Sequence, residues 1–229
     1  VSGPAAIDPG AWRGAWRREI WGITSRMTML RGMFGPSQRE IWQQLSAETH
    51  AQFVEGGFFK GDKVQAAHGQ WIVTLDKYVV STGKTTVVYT RMRAPYVNPD
   101  GFRFKVYRKG FFSDLGKMLG MQDIEVGQPE FDEDFIIKGN DEGKLRQLFA
   151  SATIRALISA QKDINFSVKD DEGWFGPSFP DGVDELQFIV VGVIKDVERL
   201  KRLYELFAET LDELCRIGSA YQSDPGVAL

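Results

Sequence analysis

Cysteine is almost absent from this sequence. Cys215 stands alone among 229 residues, which excludes an intramolecular disulfide and any metal centre built from several thiolates. It sits on the i+4 row of Leu211, where a small apolar packing role fits better than a nucleophile's. Histidine is nearly as scarce. His50 and His68 fall at a helix end and in a turn, neither with a second ligand at metal spacing, so both are read as surface histidines and no metal is expected. No apolar run reaches the roughly 18 residues that would span a bilayer. Charges interrupt the early residues, and no apolar core of a secretory signal follows them. A cytoplasmic chain is the expectation, at most peripheral at the inner membrane. Val1 in first place leaves an upstream membrane anchor open.

Motifs of catalysis are missing too. Neither the dinucleotide fingerprint nor the nucleophile elbow occurs. Gly110 to Met118 imitates a phosphate loop, with one residue too many between its glycines and Met118 where a magnesium ligand should stand. The acidic runs at Glu130–Asp134 and Asp170–Glu172 lack the period of a calcium loop and read as solvated. No catalytic residue and no cofactor is expected.

What is present is an ordinary globular composition with an uneven charge. Residues 1–109 hold 16 Lys/Arg against 8 Asp/Glu, and residues 110–229 hold 12 against 23. Such a division marks either a surface for a charged partner or two halves that neutralise each other.

Periodicity divides the chain into three. Residues 1–36 form a loose leader and a basic amphipathic helix, with Trp12, Trp16, Ile20, Ile23 and Met27 in one stripe and Arg17 off it. Residues 37–218 form a single α+β domain. It opens with a second helix, signalled by the capping-box spacing of Ser37 and Glu40. An antiparallel meander of five strands follows, from Phe53 to Arg108. Leu186–Ile194 is apolar nearly throughout and must be a central strand. The long C-terminal helix starts at Asp196, with Leu200, Leu203, Tyr204, Phe207, Leu211 and Leu214 on one face to wall the core. Residues 219–229 read as a frayed tail.

The run Pro129-Glu130-Phe131-Asp132-Glu133-Asp134-Phe135-Ile136-Ile137-Lys138-Gly139-Asn140-Asp141 resembles a motif of uncharacterised bacterial proteins. The resemblance implies a sheet-bearing domain, attached in some members to a membrane-spanning segment, with no established activity and no functional residues to carry over. The residues account for themselves. Phe131, Phe135 and Ile137 are core anchors, and Asn140-Asp141 ends a strand and caps a helix.

Two surfaces are candidates for interaction. If Thr85–Arg93 pairs with Phe102–Arg108, then Arg91, Arg93, Arg103 and Lys105 share one sheet face with Tyr89 and Tyr107. That face either meets an anionic partner or is plain solvated surface. Nucleic acid is disfavoured, because the chain is net acidic and carries no RNP-like motif. The second candidate joins Trp12 and Trp16 with the apolar stretch at Phe111 and Phe112, which either docks on a membrane or partner or packs at home. The expected function is a non-enzymatic binding or scaffold module that contacts a protein partner or anionic membrane surface. The competing expectation is a small-molecule binder or enzyme with a cavity between the sheet and the C-terminal helix.

Overall fold

The computed structural model describes residues 36–57, 61–81, 83–110, 122–170 and 179–229. Helix α1 (Gln38–Thr49) begins as its sequence dictates: the Ser37 hydroxyl accepts from the Glu40 N–H, and Glu40 reaches back to the Ser37 N–H at 2.8 Å. The first helix expected at the N-terminus lies outside the described residues.

Nine strands follow: β1 (Gln52–Val54), β2 (Lys63–His68), β3 (Trp71–Ser81), β4 (Thr86–Val97), β5 (Phe104–Arg108), β6 (Gln122–Asp123), β7 (Phe135–Gly139), β8 (Asn165–Lys169) and β9 (Val183–Val191). Helices α2 (Pro129–Asp134), α3 (Glu142–Leu148) and α4 (Ala152–Ser159) fall between them, and α5 (Val197–Arg216) closes the domain. All nine form one antiparallel sheet in the order β1-β2-β3-β4-β9-β8-β5-β7-β6.

The fold is therefore α+β, as expected, but the meander holds only through β4. Strand β4 pairs with β9, and β5 with β8 and β7. The expected pairing of β4 with β5 is wrong by two inserted strands. Consecutive strands usually neighbour each other, but β9 carries the denser apolar run and takes the central place.

Alternation gives the sheet two unlike faces. The first, with Trp71, Leu75, Met92, Phe104, Phe166 and Phe188, is buried under the helices. The stripe of α5 lies there: Phe166 meets Phe207 edge-on at 5.5 Å, and the Tyr204 hydroxyl donates to the Val64 carbonyl at 3.1 Å. The second face carries Gln65, Thr74, Arg93, Gln187, Ser167 and Lys105, all polar and most of them buried.

The family-like run sits at one end of the first face. Phe131 stacks on Phe135 at 4.7 Å, and Asp141 caps α3 through the Lys144 N–H. Asp132 accepts from the N–H groups of Val126, Gly127 and Gln128, all within 2.9 Å, and so fixes the loop before α2. That short helix was not foreseen, since its residues read as an acidic loop.

Candidate functional site

The ladder registers place one polar side chain on each of eight neighbouring strands. Reading across the second face, Gln65 faces Thr74, Thr74 faces Arg93, and Arg93 faces Gln187; Gln187 faces Ser167, Ser167 faces Lys105, and Lys105 faces Lys138, which faces Asp123. Sequence parity had put Arg91, Arg93, Arg103 and Lys105 on one face with Tyr89 and Tyr107, and the registers agree. Their surroundings differ from the expectation of a cationic edge in water. Arg93 is 5 % exposed and Lys105 is 7 % exposed.

The arginines are engaged by carboxylates. Asp76 takes two hydrogen bonds from Arg91, at 2.9 and 2.8 Å, and one from Arg93 at 2.5 Å. The Arg91 guanidinium also lies 4.8 Å over the Tyr78 ring. Arg103 spans Asp170 at 2.8 Å and Asp184 at 3.3 Å. The sheet thus internalises much of its basic charge, which removes the premise of a solvent-facing cationic surface at these four residues. Trp12, Trp16, Arg17, Phe111 and Phe112 lie outside the described residues.

Glu185, which the sequence reading passed over, is the most unusual group on this face. Fully buried on β9, it sits two residues before Gln187 and accepts from its amide at 2.9 Å. Its second oxygen is 3.8 Å from Arg93 and has no hydrogen bond; the Gln187 carbonyl oxygen has none either. Burial pushes the Glu185 carboxyl up to about 7, and the opposing pull of Arg93 and Gln187 does not offset it. The reason is geometric: Arg93 spends its closer contact on Asp76. Burial also presses Arg93 downward, against the pull of Asp76.

The folded pKa of Glu185 lies above its unfolded value near 4.5, so the fold holds the extra proton. Stability is full below the unfolded value and falls as pH rises through about 7, by up to about 3 kcal/mol for a shift of this size. Glu185→Gln should match the wild type at pH 5 and exceed it at pH 8 by about 1–3 kcal/mol in urea melts. Parallel curves for the two proteins across that range would show Glu185 to be ionised and satisfied.

Beside this cluster the sheet opens. Pairing of β3 with β4 ends at Thr74 and Arg93, while β4 runs on against β9 to Val97. Pro95, which marked a loop in the sequence, lies in this extension, where β3 has stopped asking for an N–H. At Val97 the chain's own closing segment takes the place of β3: the Tyr221 N–H donates to the Val97 carbonyl at 3.1 Å.

Residues 219–229 are not frayed. Gly218, at φ 78, reverses the chain after α5, its N–H bonding the Cys215 carbonyl and that of Ser219 the Leu214 carbonyl. Ser219 is buried and donates to Asp100 at 3.0 Å. Beyond Tyr221 the hold is lighter: Ser223, Pro225, Val227 and Leu229 are half-buried, alternating with exposed Asp224, Gly226 and Ala228, and Lys63 donates to the Leu229 carbonyl. Between this strap and a floor of Gln65, Ala67, Ile72, Thr74 and Pro95 lies a cleft of ≈ 770 Å³. The competing expectation had placed a cavity under the C-terminal helix, where the fold instead packs Leu203, Phe207 and Phe166 tightly.

His68 also differs from its reading as a plain surface residue. It bonds Asp212 at 2.9 Å and stacks on Trp71 at 5.9 Å, tying β2 to α5. Among the described residues, no three His, Cys, Asp or Glu side chains converge on a metal position, and no helix is long and apolar enough to cross a membrane.

No family model and no curated protein matches this sequence. Among solved structures, the crystal structure of the mycobacterial trehalose monomycolate transport factor A, TtfA, is similar at 6% identity over 77% of this chain and 94% of that one. Its TM-score is 0.46, a likeness too slight to carry an argument about fold or function.

Proposed function

We propose that this chain is a non-enzymatic binding module that holds a segment of a partner protein in the cleft beside β4. One observation carries the reading: where β3 leaves β4, a loosely held piece of chain with alternating half-buried residues occupies the gap. Open strand backbone next to small apolar and amide side chains is the setting in which peptides are bound by strand addition, with main-chain bonds for affinity and alternate side chains for specificity. The floor offers both, in Ala67 and Ile72 beside Gln65 and Thr74.

The strap competes with any such peptide. Being tethered, it acts at an effective concentration of about millimolar. A chain ending at Gly218 should therefore bind a labelled peptide of residues 219–229 with a dissociation constant on the order of 0.1–1 mM. The full chain should bind it about two- to tenfold more weakly. Fluorescence polarisation reads both values. No binding to the shortened chain, or equal binding to both, defeats the proposal.

A further inference from the structure

An ammonium group loses its hydration when buried, and a fold normally answers it with a carboxylate. The basic residues around Lys105 obey that rule. Lys138, opposite it on β7, is 3.0 Å from Asp123. Arg103, two residues earlier on β5, reaches Asp170 and Asp184. Lys105 itself is 7 % exposed and has no carboxylate in reach among the described residues. Its nearby company is the Tyr107 ring, 5.5 Å from Nζ, and two more cations. Burial, then Lys169, then Lys138 push its amine below the ordinary lysine value.

The neighbours on the other side are hydrogen-bonding groups. Ser167 faces Lys105 from β8 on the same side of the sheet and is 1 % exposed. Adjacent strands lie about 4.8 Å apart, so one small group can touch the lysine and the serine together. The Lys105 stem is packed away, and a small part of the residue, 7 %, stays open to solvent. A cation in excess, a hydroxyl across the ladder and a remaining opening are the parts of an oxyanion site.

We propose that Lys105 and Ser167 bind a phosphate group, whether free or carried on a lipid headgroup. Ser167 on β8 lies two strands from β4, the nearest strand of the cleft floor, and Lys105 on β5 lies three, and the site stands whether or not the cleft takes a peptide.

The test is a titration of the intact, isotope-labelled protein with inorganic phosphate, followed by NMR, with phosphatidic acid vesicles in a parallel co-sedimentation arm. Saturable shifts are expected at Lys105 and Ser167, at least tenfold weakened in Lys105→Met and unchanged in Lys84→Met. Vesicle capture that Lys105→Met abolishes assigns the headgroup as source, and phosphate shifts without capture assign the free anion. Lys105→Met should also melt higher than the wild type, since it removes a charge that no carboxylate among the described residues answers. An absence of saturable shifts and of capture in the wild type overturns the proposal, as does undiminished binding in Lys105→Met. A lower melting point for that variant would likewise overturn it, by showing the charge to be compensated within the fold.

Discussion

Asp76→Ala should cost about 3–5 kcal/mol of stability, because it strips one carboxylate from two buried guanidinium groups at once. Arg91 and Arg93 are both mostly buried, and Asp76 accepts three hydrogen bonds from them. The loss has a signature that plain truncation lacks. Without Asp76, Glu185 becomes the nearer carboxylate for Arg93, so its proton should be released at lower pH. Asp76→Ala should thus flatten the fall in stability as pH rises from the unfolded value toward about 7, and Asp76→Ala and Glu185→Gln should be non-additive in a double-mutant cycle. Urea melts at pH 5 and pH 8 on the four proteins measure both effects. Additive losses would mean that the two carboxylates do not share Arg93.

Phe207→Ala is the other large effect. The ring is fully buried on α5 and meets Phe166 from β8, joining the helix to the middle of the sheet. Truncation should cost about 3–5 kcal/mol. That is a large part of the 5–15 kcal/mol typical of whole domains. Phe207→Asp adds a buried charge and should leave the domain unfolded at 25 °C, seen as loss of the cooperative thermal transition by circular dichroism. A folded Phe207→Asp would mean that α5 lies outside the core.

The parts of this fold legible in the sequence are those set by local chemistry. Ser37, Asp141 and Asp196 each cap the helix that their spacing announces. The stripe on α5 and the dense apolar run of β9 identify one wall of the core and its central strand. Parity assigns Arg91, Arg93, Arg103 and Lys105 correctly to one face, because alternation is a property of each strand alone. Partner choice is not local. Nothing in residues 86–108 tells that β9 and β8 will enter between β4 and β5, since that depends on residues roughly 60 to 100 positions away.

Polarity misleads for a related reason. Outward polar residues on a half-buried sheet ordinarily meet water. Here Thr74, Gln187 and Ser167 are buried with the charges beside them. Glu185 sits beside Asp184, between a Gly- and Pro-rich loop and the apolar run that opens at Leu186, where an acid looks like loop and not like a centre. Pro95 and the eleven residues after Gly218 were read as ends of structure, yet both border the cleft. A retrievable signal was the alternation of Pro225, Val227 and Leu229, which has the period of a docked segment.

The claim on which the functional account depends is that β4 offers its open backbone to a second piece of chain beyond Arg93. The direct measurement is the set of intermolecular NOEs between a labelled peptide of residues 219–229 and the chain cut after Gly218. The account predicts contacts from the peptide's Tyr221 amide to Val97 and from its Val227 and Leu229 side chains to Ile72 and Lys63. Contacts elsewhere on the surface, with Val97 and Ile72 unmoved at saturating peptide, would contradict it.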